Sequence, residues 1–190
     1  MIEVVLDQWT EHNGVIQPVN EFRSEEFLDL THERCADLFV ILRVFQSDMK
    51  EITFRGALDP HTPVASGWLR ASHRKLDPEL STEAAPYHTH DELQELTPGE
   101  VYEVDVEIHS TGIVVPKGYR FGLSIRGCDY VYPGEPNSGL SNMKNTFTGV
   151  GPFLHDDETD RPPEVFDNNV TVHLGGDNAG YVLLPIIPAK

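Results

Sequence analysis

The sequence predicts an all-β fold, a two-layer sandwich or jelly roll, and three observations lead there. Glu100 to His109 alternates strictly, with Tyr102, Val104, Val106 and Ile108 on one side and Glu103, Asp105, Glu107 and His109 on the other, the period of a strand with one face on a core. Leu38 to Phe45 is apolar on both sides apart from Arg43, as a strand in the middle of a sandwich must be. Gly, Pro, Asn and Asp punctuate the rest, which leaves room for roughly eight or nine short strands and hardly any helix.

Residues 1–6 have strand composition, and residues 7–21, with Asn13-Gly14 and Pro18, read as turn and loop. Ser24 can cap the one short helix the pattern allows, over residues 24–34, with Glu25 and Glu26 in its first turn and Phe27 and Leu30 on its apolar face. After the apolar strand, Ser47-Asp48-Met49-Lys50 turns the chain and residues 51–55 return as its hairpin partner. Asp59-Pro60 and Thr62-Pro63 keep the next stretch out of helix. Val64 to His73 is then a strand, with Trp68, Arg70 and Ser72 on one face and Leu69, Ala71 and His73 on the other.

Residues 76–99 hold Pro78, Pro86 and Pro98 and no apolar period, and a connection of that length is usually functional or pinned against another surface. Beyond the alternating strand, Ile113 to Val115 and Tyr119 to Arg126 complete a meander. Residues 129–169 read as loop, and Val170 to Leu174 and Tyr181 to Ile187 as a closing hairpin over Gly175 to Asn178.

A chain of 190 residues fits one domain, and folding buries about 70% of the unfolded surface at such a length, so neither disulfide nor metal is needed to hold a core. Cys35 and Cys128 read as a reduced, intracellular pair. The first residues lack a signal-peptide pattern and no run of 18 apolar residues occurs, so a cytoplasmic protein is expected. With 14 Lys and Arg against 31 Asp and Glu, a net charge of −17 repels nucleic acid and anionic membrane alike, and neither is expected as a partner.

Against that charge, Arg70, Arg74 and Lys75 form a cationic island beside Trp68 and within reach of His73, His88 and His90. The bland reading pairs the island with the acidic faces of strands, for example Glu103, Asp105 and Glu107. Trp68 reads as core or as covered by the 76–99 loop, because Trp is highly buried on average; exposed, it would be a platform for a sugar ring. His88 and His90, two apart, could share a metal with His73, Asp91 or Glu92, or simply hydrogen-bond within a Pro-bounded loop. Asp156, Asp157 and Asp160 are weak candidates for Ca²⁺, set against a solvated turn whose acids pair with His155 and Arg161. Ser124 and Ser141 each follow a Gly two positions before but lack the Gly two positions after, so neither makes a nucleophile elbow. No catalytic residue, no metal and no cofactor is assigned on this reading.

Gly56-Ala57, the run Gly67-Trp68-Leu69-Arg70-Ala71-Ser72-His73-Arg74-Lys75-Leu76-Asp77-Pro78, Pro86-Tyr87-His88-Thr89-His90, Leu96-Thr97-Pro98-Gly99-Glu100, Asp105-Val106-Glu107-Ile108 and Gly151-Pro152-Phe153-Leu154-His155-Asp156-Asp157 together resemble the C-terminal domain of the Xaa-Pro dipeptidyl-peptidase and cocaine-esterase (CocE/NonD) family of serine hydrolases. The resemblance implies a jelly-roll β-sandwich of galactose-binding-like architecture, over residues 36–190. In such enzymes that domain packs on an α/β-hydrolase domain carrying the Ser-Asp-His triad, so the partner implied is a catalytic domain or subunit, and the chain alone is expected to be inactive. Residues 1–35 diverge from the segment through which family members enter the domain. Trp68, Arg70, His73, Arg74, His88 and His90 then become docking or structural residues. A stand-alone carbohydrate-binding module is the alternative, and assembly into a homo-oligomer stays open.

Overall fold

The computed structural model describes residues 35–135, 145–167, 170–173 and 180–187, together with the backbone of four short strands outside those ranges. The strands are β1 (Ile2–Leu6), β2 (Trp9–His12), β3 (Val15–Pro18), β4 (Asp37–Phe45), β5 (Glu51–Ile52), β6 (Ala65–Arg70), β7 (Arg120–Arg126), β8 (Asn137–Ser138), β9 (Thr146–Phe147) and β10 (Val182–Leu183). Helix among the described residues is limited to a 3₁₀ turn at Ala71–His73 and the one-turn α1 at Pro163–Phe166. The fold is all-β and antiparallel, as the alternation predicts.

The main sheet runs β1-β7-β4-β5, with β6 also paired to β4. β4 holds the centre because both of its sides are apolar. Phe39, Ile41 and Phe45 are buried on one side, and Val40, Leu42 and Val44 on the other. Each such side chain withdrawn from water contributes about 1.5–3 kcal/mol, so this single strand carries much of the core. The return at Gln46–Lys50 is the predicted hairpin, closed by a Gln46 N–H to Lys50 carbonyl bond of 2.9 Å, and it sets Val44 against Ile52. Ala36, Ala71 and Leu96 form a further buried cluster, with Tyr102 and Val170 packed against it.

Four expectations need correction. Residues 7–21 are not loop throughout: β2 and β3 pair with His12 opposite Val15, leaving Asn13-Gly14 between them, the dipeptide that suits a two-residue hairpin. The strand expected over Val64 to His73 gives way to the 3₁₀ turn after Arg70. The stretch 100–116 keeps its alternation, with Tyr102, Val104, Val106 and Ile108 half-buried and the acids between them exposed, but it joins no ladder. It lies so close to β6 that a Cβ on Gly67 would collide with the Glu107 carbonyl, and His109 ties it to that strand, its N–H at 3.0 Å and its Nδ1 at 2.6 Å from the Ser66 carbonyl oxygen. Residues 170–173 form no strand, and the closing hairpin reduces to β10, which pairs with β3. The short helix expected at 24–34 and the turn at 175–178 fall outside the described residues.

Candidate functional site

β6 places its polar residues opposite those of β4. In the ladder Asp37 faces Arg70, Phe39 faces Trp68 and Ile41 faces Ser66, so one face of the sheet carries Asp37, Arg70 and Trp68 side by side. The Asp37 carboxylate is 1% exposed. It accepts from Arg70 Nε at 2.9 Å and from Arg70 Nη2 at 3.0 Å. Arg161 Nε lies 2.9 Å from Oδ2, the oxygen that also accepts from Arg70 Nη2, an ion pair whose N–H is not aligned for a hydrogen bond. Arg70 also reaches the exposed Asp160 at 3.0 Å and lies over the Phe166 ring, 4.6 Å from its centroid. The hydrogen bond to Asp37 raises the Arg70 pKa against the opposing effect of burial. Asp160 is held below the ordinary carboxylate range by Arg70.

A second charged cluster stands on the same face. Arg43 donates twice to Glu51, at 2.8 and 2.7 Å, and once to Ser124 Oγ at 3.2 Å. The buried Tyr130 hydroxyl donates to Glu51 Oε1 at 3.0 Å. Burial first, and the Glu51 charge second, push the Tyr130 phenol well above the usual tyrosine range. Asp59, also buried, accepts from the backbone N–H groups of His61, Gly149 and Gly151 at 2.9, 2.7 and 3.1 Å. Gly149 itself has φ +115°, and a Cβ there would strike the Tyr130 ring. Asp129 takes the His155 N–H at 2.7 Å and its Nδ1 at 3.0 Å. The buried Asp59 thus holds Gly149 and Gly151, as the buried Asp37 holds Arg161, and each carboxylate is satisfied as a buried charge must be.

Trp68 is not buried. It is 46% exposed because β6 is an edge strand and its Trp shares the face with charged neighbours. Its ring stacks over Phe39, centroids 6.3 Å apart at 19°, and meets the His155 ring at 4.6 Å. Phe153 and Leu154, in the adjoining turn, are exposed as well.

The rest of the cationic island is spent locally. Arg74 donates to the carbonyls of Ala71 and Gln94, at 3.1 and 2.6 Å, and lies over the Tyr102 ring. Lys75 pairs with Asp91 and Glu92 at 3.1 and 3.3 Å. The expected partners Glu103, Asp105 and Glu107 are displaced by acids that register and loop closure bring nearer. His73 and His90 meet with Nδ1 atoms 3.3 Å apart, and the His88 ring lies 6.0 Å from that of His90.

Asp157 and Asp160 of the acidic run are engaged within the chain. Asp157 accepts from Thr159 N and Oγ1 at 2.9 and 2.7 Å, Asp160 is taken by Arg70, and His155 and Arg161 turn to Asp129 and Asp37 instead of to these acids. Among the described residues no group of three or more His, Cys, Asp or Glu is arranged to hold a metal ion. Ser124 is 1% exposed, beyond the reach of a substrate carbonyl, while Ser141 lies outside the described residues. Cys35 and Cys128 are separate thiols. No helix among the described residues is long and apolar enough to cross a membrane.

Sequence reasoning passed over Asp37, Glu51, Asp59 and Asp129. Asp37 and Glu51 had a signal, an acid set at the border of a run that is otherwise apolar or strand-forming. Asp59 and Asp129 sit in loop composition and had none.

Residues 28–182 match the family described as the X-Pro dipeptidyl-peptidase C-terminal non-catalytic domain. The chain belongs to this family. Two crystal structures of a CocE/NonD family hydrolase from Staphylococcus aureus are similar to it at 27% identity, with TM-scores of 0.51 and 0.55 over 62% and 65% of this chain. The matched part is 23% and 22% of those hydrolase chains, so this X-Pro dipeptidyl-peptidase C-terminal domain spans less than a quarter of their length. No curated protein sequence matches. For a member of a non-catalytic domain family, a buried serine on β7 and a face of paired charges are consistent features: the polar groups bind one another.

Proposed function

We propose that this chain is the accessory β-sandwich of a CocE/NonD-type α/β-hydrolase, acting on acyl esters or Xaa-Pro peptides, and that it stabilises and docks on the catalytic domain or subunit. The observation that carries the reading is the family match over residues 28–182, joined to the small share of a CocE/NonD hydrolase that the chain covers. A jelly-roll, galactose-binding-like arrangement over residues 36–190, with residues 1–35 joining it as a divergent segment, belongs to the same proposal, as does a cytoplasmic setting.

Within the island, the structural duties fall to Arg70 and Arg74, whose donors are taken by Asp37, Asp160 and backbone carbonyls. Docking falls to Trp68 and the 76–93 loop, where Leu80, Tyr87 and Leu93 stand exposed. Large apolar side chains left exposed are what a surface that meets another protein requires. The test is to co-express the chain with an α/β-hydrolase reading frame encoded beside it, and to follow both by size exclusion. Co-elution that Trp68→Asp abolishes supports the proposal; separate elution of the wild-type chain opposes it.

The exposure of Trp68 also supports a second reading, a carbohydrate-binding module with that ring as its platform. Oligosaccharide binding lost in a folded Trp68→Ala variant would favour it, and a glycan array without hits would count against it.

A further inference from the structure

We propose that His73 and His90 form a two-imidazole clamp for a first-row divalent cation of the zinc class. The two Nδ1 atoms are 3.3 Å apart. Two ligand nitrogens on one tetrahedral zinc, each about 2.0–2.1 Å from the metal, are separated by about 3.3–3.4 Å. The pair therefore already stands at the spacing that a shared cation requires.

The backbone holds it there. Leu76 bridges to His88, Thr89 N–H donates to the Lys75 carbonyl at 3.1 Å, and Asp77 N–H donates to the Tyr87 carbonyl at 2.8 Å. These rungs lock the His90 segment antiparallel to the residues that follow His73. His90 itself has φ +52°, in the left-handed region where His, with Asn and Asp, is found more often than other residues with a side chain.

Electrostatics favour a cation over a second proton. One Nδ1 can donate to the other only while the second is unprotonated, whereas a divalent ion accepts a lone pair from both. Beside them, the His88 Nε2 is buried without a hydrogen-bond partner. Lys75, the nearby cation, is neutralised by Asp91 and Glu92. A net charge of −17 over the chain draws cations toward the surface. With two protein donors the remaining positions fall to water, so the site binds more weakly than a zinc centre closed by four protein ligands.

The test is zinc titration by calorimetry and equilibrium dialysis on the full chain after treatment with chelator. One saturable equivalent is expected, weakened by about tenfold or more in His73→Gln and in His90→Asn, with His109→Gln as an unaffected control. Asn tolerates the left-handed backbone at position 90, and circular dichroism checks that each variant folds. Should a variant unfold, ¹⁵N-histidine NMR of the wild-type protein reads the site directly, because zinc must shift Nδ1 of both His73 and His90. Absence of a saturable equivalent at millimolar zinc overturns the proposal. So does an equivalent that either variant leaves unchanged, or wild-type spectra in which only one of the two rings responds.

Discussion

Asp37 and Arg70 are direct partners in the β4–β6 ladder, and their side chains close a two-point ion pair, 2.9 and 3.0 Å, around a carboxylate that is almost wholly buried. Arg161 approaches the same carboxylate from the far segment. A residue at the first position of the central strand thus fixes both the register of β6 and the placement of residues 155–166. Removing one partner from a buried ion pair leaves the other charge uncompensated.

Asp37→Ala therefore leaves two guanidinium groups without their shared acid. The expected loss is about 3–5 kcal/mol, which in a domain of this size lowers Tm by roughly 6–20 °C. Asp160→Ala, at the exposed end of the same network, should leave Tm nearly unchanged, because screened surface pairs contribute little. Thermal unfolding of the two variants side by side checks the contrast, and equal losses would contradict the placement of Asp37.

Tyr130 makes stability depend on alkaline pH. Its phenol pKa is raised in the fold by burial and by Glu51, so the folded state keeps a proton that the unfolded chain gives up near pH 10. The contribution is complete below pH 10 and falls as the pH rises above it. Tyr130→Phe should cost about 0.5–1.5 kcal/mol at neutral pH, the worth of its hydrogen bond to Glu51. Denaturant titrations from pH 8 to pH 11 should show the gap between wild type and variant narrowing above pH 10; a constant gap would contradict the account.

Gly67 is the point where the 100–109 segment packs on β6. A methyl group there meets the Glu107 backbone rather than a side chain that can swing aside. Gly67→Ala should destabilise by about 1–3 kcal/mol or more, whereas Gly112→Ala, with open space around its Cβ, should be close to neutral. Hydrogen exchange adds a local readout, since the His109 amide, bonded to Ser66, should lose protection in Gly67→Ala alone.

The central strand, the 47–50 turn and the all-β class were legible because each rests on a local rule: an apolar run, a turn tetrapeptide, an alternation. The 100–109 segment obeyed the same rule and still joined no ladder, because strand pairing depends on which backbone lies alongside, and periodicity says nothing of that. Trp68 was misjudged for a related reason, since burial of a strand residue depends on whether its strand lies at the edge. The cationic island was visible in composition, but its partners were not. Asp37 lies 33 positions from Arg70 in the chain, and only the ladder brings them together. The spacing of His88 and His90 could suggest a shared ligand, yet the closest pair turned out to be His73 with His90, set by the bridge from Leu76 to His88.

The claim that this domain does no chemistry of its own is tested most directly by labelling the purified chain with a fluorophosphonate while assaying p-nitrophenyl ester and Xaa-Pro peptide hydrolysis. With Ser124 buried beneath Arg43 and outside any Gly-x-Ser-x-Gly elbow, no label and no turnover above buffer are predicted. Stoichiometric labelling of a serine in this chain, with turnover that its substitution by Ala abolishes, would contradict the account.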